Sequence, residues 1–569
     1  MQFTDFVPQI SSWQDVLAWF AYNPKEPLLF NSARFLKLFV VFYGIYLLLR
    51  NTFRLRIFYV IAFSLYFYQQ SSGFYFLLLL FTTSLDYTLS YFLYRETNVL
   101  KRKFYVWFSV VVNLSFLFYF KYTNFLIGSY NDLFGGSFDF QDIILPVGIS
   151  FYTFQSISYT IEIYRKEITP AKSFPDYVFF VSFFPQLVAG PIVRAKDFIP
   201  KIYEKLHISR EEVNYGLFLI IGGLIKKAVI SDYISINFVD RVFDAPNSYT
   251  AFENLMATYG YTLQIYCDFS GYSDMAIGIA LLLGFELPPN FRTPYKSSSI
   301  TEFWRRWHIS LSTWLKDFLY ISVGGNRKGT FAGFLFPSLF FFGLILWGVT
   351  YGPDSNLPFI LSLGATLLFI LTFVLSKNKE KTMYTNSNLM TTMLLGGLWH
   401  GASLRFIIWG ALHGMALSVH KIFLEFFPPK KSSEHPLEAS RSKRRNKATV
   451  GAVIWKVFSV VLTFHFVVFC WIFFRAKDFT TALDIINNIG KVTFEPEKWQ
   501  TIVLGYKNVF LLMLIGYVWH FLPEGFTQFM KQAFNKTPLV LKAVILGLVY
   551  WLVYATASAG PQPLIYFQF

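Results

Sequence analysis

Two segments of the chain place histidines among tryptophans and arginines, side chains that can move protons and hold anions. The first is TEFWRRWHIS, residues 301–310, which contains His308; the second is GGLWHGASLRFIIWGALHG, residues 396–414, which contains His400 and His413. An imidazole can accept or donate a proton near neutral pH, and a guanidinium binds phosphates and carboxylates. These residue types indicate acid–base chemistry on an anionic substrate, provided that the histidines face a cavity.

The elements that must position these residues are membrane helices. Of the 569 residues, 54% are hydrophobic and only 15% are charged, well below the roughly 25% of soluble domains. Apolar runs of about 20 residues recur, the length that a helix needs to cross a bilayer core of about 30 Å. The composition predicts an all-α polytopic membrane protein with roughly eleven to fourteen transmembrane or re-entrant helices.

Loop charges predict the orientation and the division of the chain. Residues 1–34 lack the features of a cleavable signal and are expected to form an amphipathic, interfacial segment, whereas residues 35–569 form the transmembrane domain. The basic loop 95–103 is predicted to be cytoplasmic, and the acidic loop 131–142 to lie on the opposite side. A longer basic loop at residues 428–449 is also predicted to be cytoplasmic. The net charge of +16 is thus a property of short loops, and nucleic-acid binding is not expected.

The first histidine segment has the signals of one continuous helix. Ser299 and Glu302 have the spacing of a capping box, and Gly324 follows the end of the pattern. His308 and the tryptophans fall on one stripe at a period of 3.6 residues, and charged residues fall on the other face. The cations of that face are Arg305, Arg306 and Lys316. Two interpretations of His308 stay open: a hydrogen-bonded histidine in an interfacial helix, or a titratable group that faces a cavity.

The second segment places ionisable groups at membrane depth, where they are costly and therefore candidates for function. His400 and His413 are 13 positions apart, which on a straight helix means about 20 Å of rise and about 220° of rotation. Only one of them is then expected to meet His308, unless the helix breaks at Gly401. The residues alone do not choose between them, and a core histidine bonded to a backbone carbonyl is the alternative for each.

A third polar segment, QIYCDFSGYSDMAIG at residues 264–278, contains Asp268, Ser270 and Asp274. In an apolar environment such residues either line a cavity or join neighbouring helices by hydrogen bonds. Both interpretations stay open, and Arg194 completes this set of candidate cavity residues. A single histidine in each block lacks the three converging ligands of a catalytic zinc site, so no metal is predicted.

Ordered blocks along most of the chain resemble the membrane-bound O-acyltransferases, specifically the bacterial branch of the alginate O-acetylation membrane subunit and the teichoic-acid D-alanyl transfer protein. The blocks are SLDYTLSYF (84–92), FKYTNF (120–125), LPVGISFYTFQSISYTIEIYR (145–165), FFPQLVAGPIVR (183–194), YCDFSGYSDMAIGIALLLGFELPPNFRTPY (266–295), EFWRRWHISLSTWLKDFLYISVGGNRKG (302–329), GGLWHGASLRFIIWGALHG (396–414) and CWIFFRA (470–476). The resemblance implies a ring of helices around a central tunnel. One departure is the stretch between Gly329 and Met390, whose two apolar segments would have to be extra helices.

The resemblance also implies roles. His400 matches the invariant histidine of the family, His308 a second functional position, and His413 a helper at most. The implied activity is transfer of an acyl group, an acetyl group by preference, from a cytoplasmic thioester to hydroxyls of an exported polysaccharide or cell-wall glycan. The residues expected to bind the donor are Arg305, Arg306, Lys316, Trp304 and Trp307, an inference from charge and depth.

No resident cofactor is expected; the donor would be acyl-CoA or an acyl-carrier thioester. The expected location is the bacterial cytoplasmic (inner) membrane, with membrane lipids and a periplasmic SGNH-hydrolase-like acyltransferase as partners. Acylation of a lipid or protein acceptor, a covalent acyl-histidine step, and, in a different class, a flippase for lipid-linked glycans stay open as alternatives.

Overall fold

A computed structural model describes residues 13, 21–23, 27–188, 190–351, 356–428, 449–556, 562, 564 and 565. It consists of two compact units. The first contains residues 1–232, 267–289 and 525–568, and the second contains residues 233–266 and 290–524. Most of the predicted N-terminal interfacial segment, and nearly all of the predicted basic loop at 428–449, lie outside the described residues.

The described part of the chain is helical and contains no strand. The helices are α1 (Ala33–Leu48), α2 (Phe53–Ser72), α3 (Phe76–Arg95), α4 (Val99–Phe134), α5 (Ile149–Tyr164), α6 (Phe174–Ser182), α7 (Phe184–Leu187), α8 (Ala195–Ile202), α9 (Arg210–Asp244, with π-helical turns at Ile225–Ser231 and Ser235–Val239), α10 (Ala251–Leu282), α11 (Ile300–Arg306), α12 (Ile309–Trp314, continued by the π-helix Leu315–Tyr320), α13 (Phe331–Tyr351), α14 (Asn356–Val374), α15 (Lys379–His400), α16 (Leu404–Phe426), α17 (Val450–Arg475), α18 (Phe479–Ile489), α19 (Pro496–Gly505), α20 (Lys507–Phe521), α21 (Glu524–Lys536) and α22 (Leu539–Thr556).

Seven helical segments of the described residues are long and apolar enough to cross a membrane, or eight if α19 and α20, which meet at a bend of 92°, form one span. Other helices are shorter, such as α1 and α5 with 16 residues each. The predicted eleven to fourteen helices included such short or broken elements together with complete spans. The fold class is confirmed: this is an all-α, multi-pass membrane protein.

The two apolar segments between Gly329 and Met390 are helices α13 and α14, as predicted. They pack against α15 and α16 through a buried cluster in the second unit that includes Phe341, Phe369 and Met390. The rings of Phe341 and Phe369 stack with centroids 4.8 Å apart. The extra helices therefore support the helix pair that carries the second histidine segment.

In the first unit, buried polar side chains and glycines connect the helices. The carboxylate of Asp86 on α3 accepts hydrogen bonds from Ser109 Oγ (2.6 Å) and Asn113 Nδ2 (2.9 Å) on α4. Helices α9 and α10 come so close that a Cβ atom added to Gly223 would lie 2.5 Å from the carbonyl oxygen of Gly271. Small residues and interhelical hydrogen bonds of this kind are how helices associate in lipid.

Candidate active site

The first histidine segment is not one helix, and that prediction is wrong. Helix α11 ends at Arg306, and α12 begins at Ile309. Between them His308 adopts φ 43° and ψ 55°, a left-handed conformation that costs a non-glycine residue roughly 1–2 kcal/mol. The start of α11 is as predicted, because Ser299 Oγ accepts the Glu302 N–H at 3.2 Å, although the Glu302 carboxylate accepts the N–H of Ser298 instead of closing the capping box.

Backbone partners from an earlier segment stabilise the break at His308. The Arg306 carbonyl accepts the Arg292 N–H, and the Ile309 N–H donates to the Asn290 carbonyl, both at 2.9 Å. The side-chain oxygen of Asn290 accepts the hydroxyl hydrogen bond of Ser310 at 2.7 Å. Residues 290–292 thus supply the hydrogen bonds that the Arg306 carbonyl and the Ile309 N–H would form within a continuous helix. The helical stripe predicted for the histidine and the tryptophans does not continue through the break.

The second histidine segment also breaks, at the position where the prediction allowed it. Helix α15 ends at His400, Gly401 is extended, and α16 begins at Leu404. A Cβ atom at Gly401 would lie 2.1 Å from the ring of Phe406, so the close approach at this turn requires glycine. The break folds α16 back against α15.

Two glycines let α15 and α16 touch along their length. A Cβ atom at Gly397 would lie 2.2 Å from the Phe406 carbonyl oxygen, and one at Gly410 would lie 2.2 Å from the Met393 carbonyl oxygen. This contact places the Trp409 ring against both histidines of the segment. Its centroid lies 5.1 Å from that of His400 and 4.8 Å from that of His413.

We expect Gly397→Ala to destabilise the protein by about 1–3 kcal/mol, because a methyl group at this contact forces the two helices apart. The substitution should also move the Trp409 ring away from that of His400. Thermal unfolding of the purified protein in detergent measures the effect. Gly364→Ala is the matched control, since a Cβ at Gly364 on α14 meets nothing within 4 Å; equal unfolding temperatures for the two variants would contradict the prediction.

All three histidines lie in one continuous chain of aromatic contacts in the second unit, here named the tryptophan–histidine cluster. The cluster comprises His308, Trp399, His400, Trp409, His413 and Trp304, with successive ring centroids 6.3, 5.0, 5.1, 4.8 and 5.1 Å apart. The three imidazoles are at most 3% exposed. The structure therefore places His308 and His400, about 90 positions apart in the sequence, on either side of the Trp399 ring.

Several buried nitrogen atoms of the cluster and of its neighbour Trp471 form no hydrogen bond with the described part of the protein. Among the described residues, no hydrogen-bond partner is present for the indole nitrogens of Trp304, Trp409 and Trp471 or for either ring nitrogen of His413. Trp471 stacks on Trp409 with centroids 5.9 Å apart. Each buried polar group without a partner costs about 1–3 kcal/mol, so a group of them calls for a functional explanation.

Burial also fixes the charge of His308, which lies outside the spanning segments. It lowers the pKa of His308 to about 3, because the charged imidazolium would lose its hydration. The ring is therefore neutral at physiological pH. A neutral imidazole can orient a substrate by a hydrogen bond, but it holds no proton to release as an acid in that range.

Comparison with known proteins decides the family. Residues 165–351 match the family model described as MBOAT, membrane-bound O-acyltransferase family. A probable alginate O-acetylase AlgI of Pseudomonas aeruginosa is 36% identical over 80% of this chain and 72% of its own length. A peptidoglycan O-acetyltransferase of Helicobacter pylori is 33% identical over 81% of this chain and 80% of its own length. A teichoic acid D-alanyltransferase of Bacillus subtilis is 25% identical over 60% of this chain and 71% of its own length.

The chain belongs to the membrane-bound O-acyltransferase family. This confirms the resemblance drawn from the sequence blocks, and with it the class of enzyme, an acyltransferase. The individual site residues of this O-acyltransferase stay predictions, and the geometry gives their surroundings.

Among the predicted donor-binding residues, Trp304 belongs to the tryptophan–histidine cluster and Trp307 packs beside it. The three predicted cations have different surroundings. Trp307 is buried against Trp471, with centroids 4.9 Å apart. Arg306 forms an ion pair with Glu302 at 2.8 Å, so its charge is partly engaged within the protein. Arg305 and Lys316 are exposed.

The predicted cavity residues Asp268, Ser270, Asp274 and Arg194 of the O-acyltransferase all belong to the first unit. Asp268 accepts a hydrogen bond from Lys227 Nζ at 2.6 Å, and Asp274 pairs with Lys226. Arg194 Nε lies 2.7 Å from a carboxylate oxygen of Glu162. The pairs of Asp268 and Asp274 join α9 to α10, which corresponds to the second interpretation left open for residues 264–278. The Arg194 pair joins the residue before α8 to α5, and Ser270 Oγ is buried without a hydrogen-bond partner among the described residues.

Sequence reasoning did not single out Trp409, Trp471 or Phe474 as site residues. The ring centroids of Phe474 and His400 are 5.3 Å apart. The Arg405 guanidinium donates a hydrogen bond to the Phe474 carbonyl at 2.8 Å, which fixes the backbone at this position. All three aromatic residues occur within the blocks that carry the resemblance, which was the available signal. Their roles depend on contacts between helices and could not be read from spacing along one helix.

Proposed function

We propose that this membrane-bound O-acyltransferase moves an acyl group, an acetyl group by preference, from a cytoplasmic thioester across the membrane to hydroxyls of an exported polysaccharide or cell-wall glycan. The support for the acceptor class comes from relatives named for acylation of alginate, peptidoglycan and teichoic acid. The observation that carries the chemistry is the tryptophan–histidine cluster, in which a buried imidazole and unused hydrogen-bond donors lie together. The proposed location is the bacterial inner membrane.

In this proposal His400 is the general base. Its imidazole takes the proton of the acceptor hydroxyl while the oxygen attacks the thioester carbonyl. The tetrahedral intermediate then collapses and its carbon–sulfur bond breaks. The imidazolium returns the proton to the departing sulfur, so a thiol leaves. The products are an ester and a thiol, so no proton is gained or lost overall. General-base assistance of this kind contributes about 10² to 10⁴ in rate.

The unused indole N–H groups supply the complementary charge stabilisation. Negative charge develops on the carbonyl oxygen during attack, and donors already fixed in a water-poor site stabilise it without reorganisation. Trp409 is the strongest candidate, because its ring contacts His400 directly and its N–H has no partner among the described residues. An indole N–H is a donor only, which suits an oxyanion.

Three further residues act on the substrates in this proposal. His308, neutral and held by the chain break, orients the donor carbonyl or the acceptor hydroxyl. Arg305 and Lys316, both exposed, attract the phosphates of an acyl-CoA or acyl-carrier thioester. Transfer to the glycan occurs directly or through a periplasmic SGNH-hydrolase-like partner.

Reconstituted vesicles test this function. The purified protein is inserted into liposomes. A radiolabelled acetyl thioester is then supplied on one side of the membrane and a glycan acceptor on the other. The proposal requires acetyl ester to appear on the acceptor together with equimolar free thiol. Movement of a lipid-linked glycan without thioester consumption would indicate a flippase instead.

The pH dependence separates the roles of the two histidines. We expect His308→Ala to lower kcat by about 10²-fold through loss of orientation, and His308→Asn to lower it less. Because the pKa of His308 is about 3, its neutral form is lost only near that pH. The acidic limb of the pH–rate profile between pH 5 and 9 should therefore keep its midpoint in both variants. A shifted midpoint in this range would assign the titration to His308 and contradict the prediction.

A further inference from the structure

A polar cavity of about 700 Å³ lies within the first unit, between the start of α9 and helix α21. Its lining consists of His207, Ser209, Glu211, Glu212, Asn214, Tyr215, Gln528, Lys531, Gln532 and Asn535. The volume is in the range of small-molecule sites, and amides and charged groups predominate in the wall. No residue predicted to take part in acyl transfer belongs to this lining.

Beneath the cavity is a buried lysine without a counter-charge. Lys542 is only 4% exposed, and its ammonium donates to Asn214 Oδ1 at 2.6 Å and to the Asn535 carbonyl at 3.4 Å. Among the described residues, no carboxylate lies within ion-pair distance of it. A buried cation is costly unless it is paired, and neutral oxygens compensate it only in part.

The lysine orients a short relay of amides toward the cavity. An ammonium can only donate, so Asn214 must present its oxygen to Lys542 and its nitrogen to Asn535, where it donates to Oδ1. The amide nitrogen of Asn535 is then the terminal donor of the chain, in the wall of the cavity. Charge at one end of such a chain strengthens the donor at the other.

Lys531 is a second cation in the lining of the cavity. Lys531 Nζ lies 3.4 Å from the centroid of the Tyr215 ring. Of the two carboxylates in the lining, Glu212 is engaged locally, since it accepts the Ser209 N–H at 2.7 Å in a complete capping box. The other carboxylate, Glu211, is exposed, and the charges of Lys531 and Lys542 offset those of the two carboxylates. The side-chain amides of Asn535, Gln528 and Gln532 add donors from which an anion can accept hydrogen bonds.

The position of the cavity along the chain places it at a membrane boundary. It adjoins the first residues of α9 and the helix that immediately precedes α22, and both α9 and α22 are spanning segments. Helix α21 itself has no buried residue. The segment 195–210 that leads into α9 contains four Lys or Arg and two acidic residues, which predicts the cytoplasmic side.

We propose that this cavity binds the phosphate group of a lipid headgroup from the cytoplasmic leaflet. Lys531 and the terminal amide of Asn535 contact the phosphate oxygens, and the charge of Lys542 acts through the relay. Lysines in pockets between membrane helices on this side are groups to which anionic headgroups bind. None of these residues takes part in the proposed acyl transfer.

Lipid titration of the purified full-length protein, followed by native mass spectrometry, tests the site. Phosphatidylglycerol is the probe, and monogalactosyl diacylglycerol, which has no phosphate, is the comparison lipid. We expect phosphatidylglycerol to bind the natural protein, and Lys531→Gln and Lys542→Met each to weaken it about tenfold, the equivalent of one charge-assisted hydrogen bond. Lys536→Gln is the matched control, because it removes the same charge from α21 outside the lining.

Each outcome bears on the proposal. Equal weakening in Lys531→Gln and Lys536→Gln would overturn it, as would equal binding of the lipid without phosphate. Soluble glycerol 3-phosphate is the third arm: if it displaces nothing at the concentrations where the lipid binds, the headgroup is the source. If it binds as tightly as the lipid, a free phosphate ester is the ligand and the lipid assignment is wrong. Lys531 is exposed, so its variant tests the site even if Lys542→Met fails to fold.

Discussion

Replacing His400 with alanine is expected to lower kcat for acyl transfer by about 10² to 10⁴ while the protein stays folded. The imidazole is the only group in the proposed mechanism that takes the acceptor proton, so its removal leaves the hydroxyl a weak nucleophile. The KM for the thioester should change little, because in the proposed mechanism other residues hold the donor. Release of free thiol and formation of ester, measured in the same reconstituted vesicles, give the rate.

The control for this variant is His465→Ala. His465 is on α17 in the same unit, but it is exposed and bonds to Tyr259 outside the tryptophan–histidine cluster. Its loss should leave the rate within about twofold, since surface substitutions of this kind rarely alter a distant site. Comparable rates for His400→Ala and the natural protein, with unfolding temperatures unchanged, would remove His400 from the mechanism.

The second large effect is expected from Trp409. Trp409→Phe keeps most of the aromatic contact with His400 but removes the indole N–H, and we expect kcat to fall by about 10² to 10³ with KM nearly unchanged. This is the effect of losing one donor to an oxyanion, which exists only in the transition state. Steady-state kinetics with the acetyl thioester measure the two parameters separately.

A structural role for Trp409 gives a different result. Site-specific replacement by benzothienylalanine, which has nearly the shape of tryptophan but sulfur in place of the N–H, keeps the packing and removes only the donor. If this protein is as active as the natural one, the N–H takes no part and the loss in Trp409→Phe comes from packing. Trp455→Phe is the control, because Trp455 on α17 is 56% exposed.

The features that could be predicted from the sequence are those encoded by neighbouring residues. Long apolar runs gave the helical membrane class, and the two apolar segments after Gly329 became helices because hydropathy alone specifies them. The start of α11 followed from Ser299, whose side chain caps a residue three positions away. The family followed from ordered blocks, because each block is itself local in the chain.

The features that could not be predicted depend on distant partners. The break at His308 exists because Asn290 and Arg292 satisfy its amide groups, and no pattern within residues 299–324 contains that information. The meeting of His400 and His413 on Trp409 depends on the glycine contact between α15 and α16. Spacing on one straight helix separated the two histidines, whereas the turn at Gly401 brings both to a single ring.

The left-handed turn at His308 has a mechanical consequence. Because hydrogen bonds from residues 290–292 reach the backbone on both sides of His308, its position depends on the loop that precedes α11 as well as on its own helices. Inserting or deleting one residue in that loop should therefore shift the imidazole relative to Trp399 while every side chain of the tryptophan–histidine cluster stays the same.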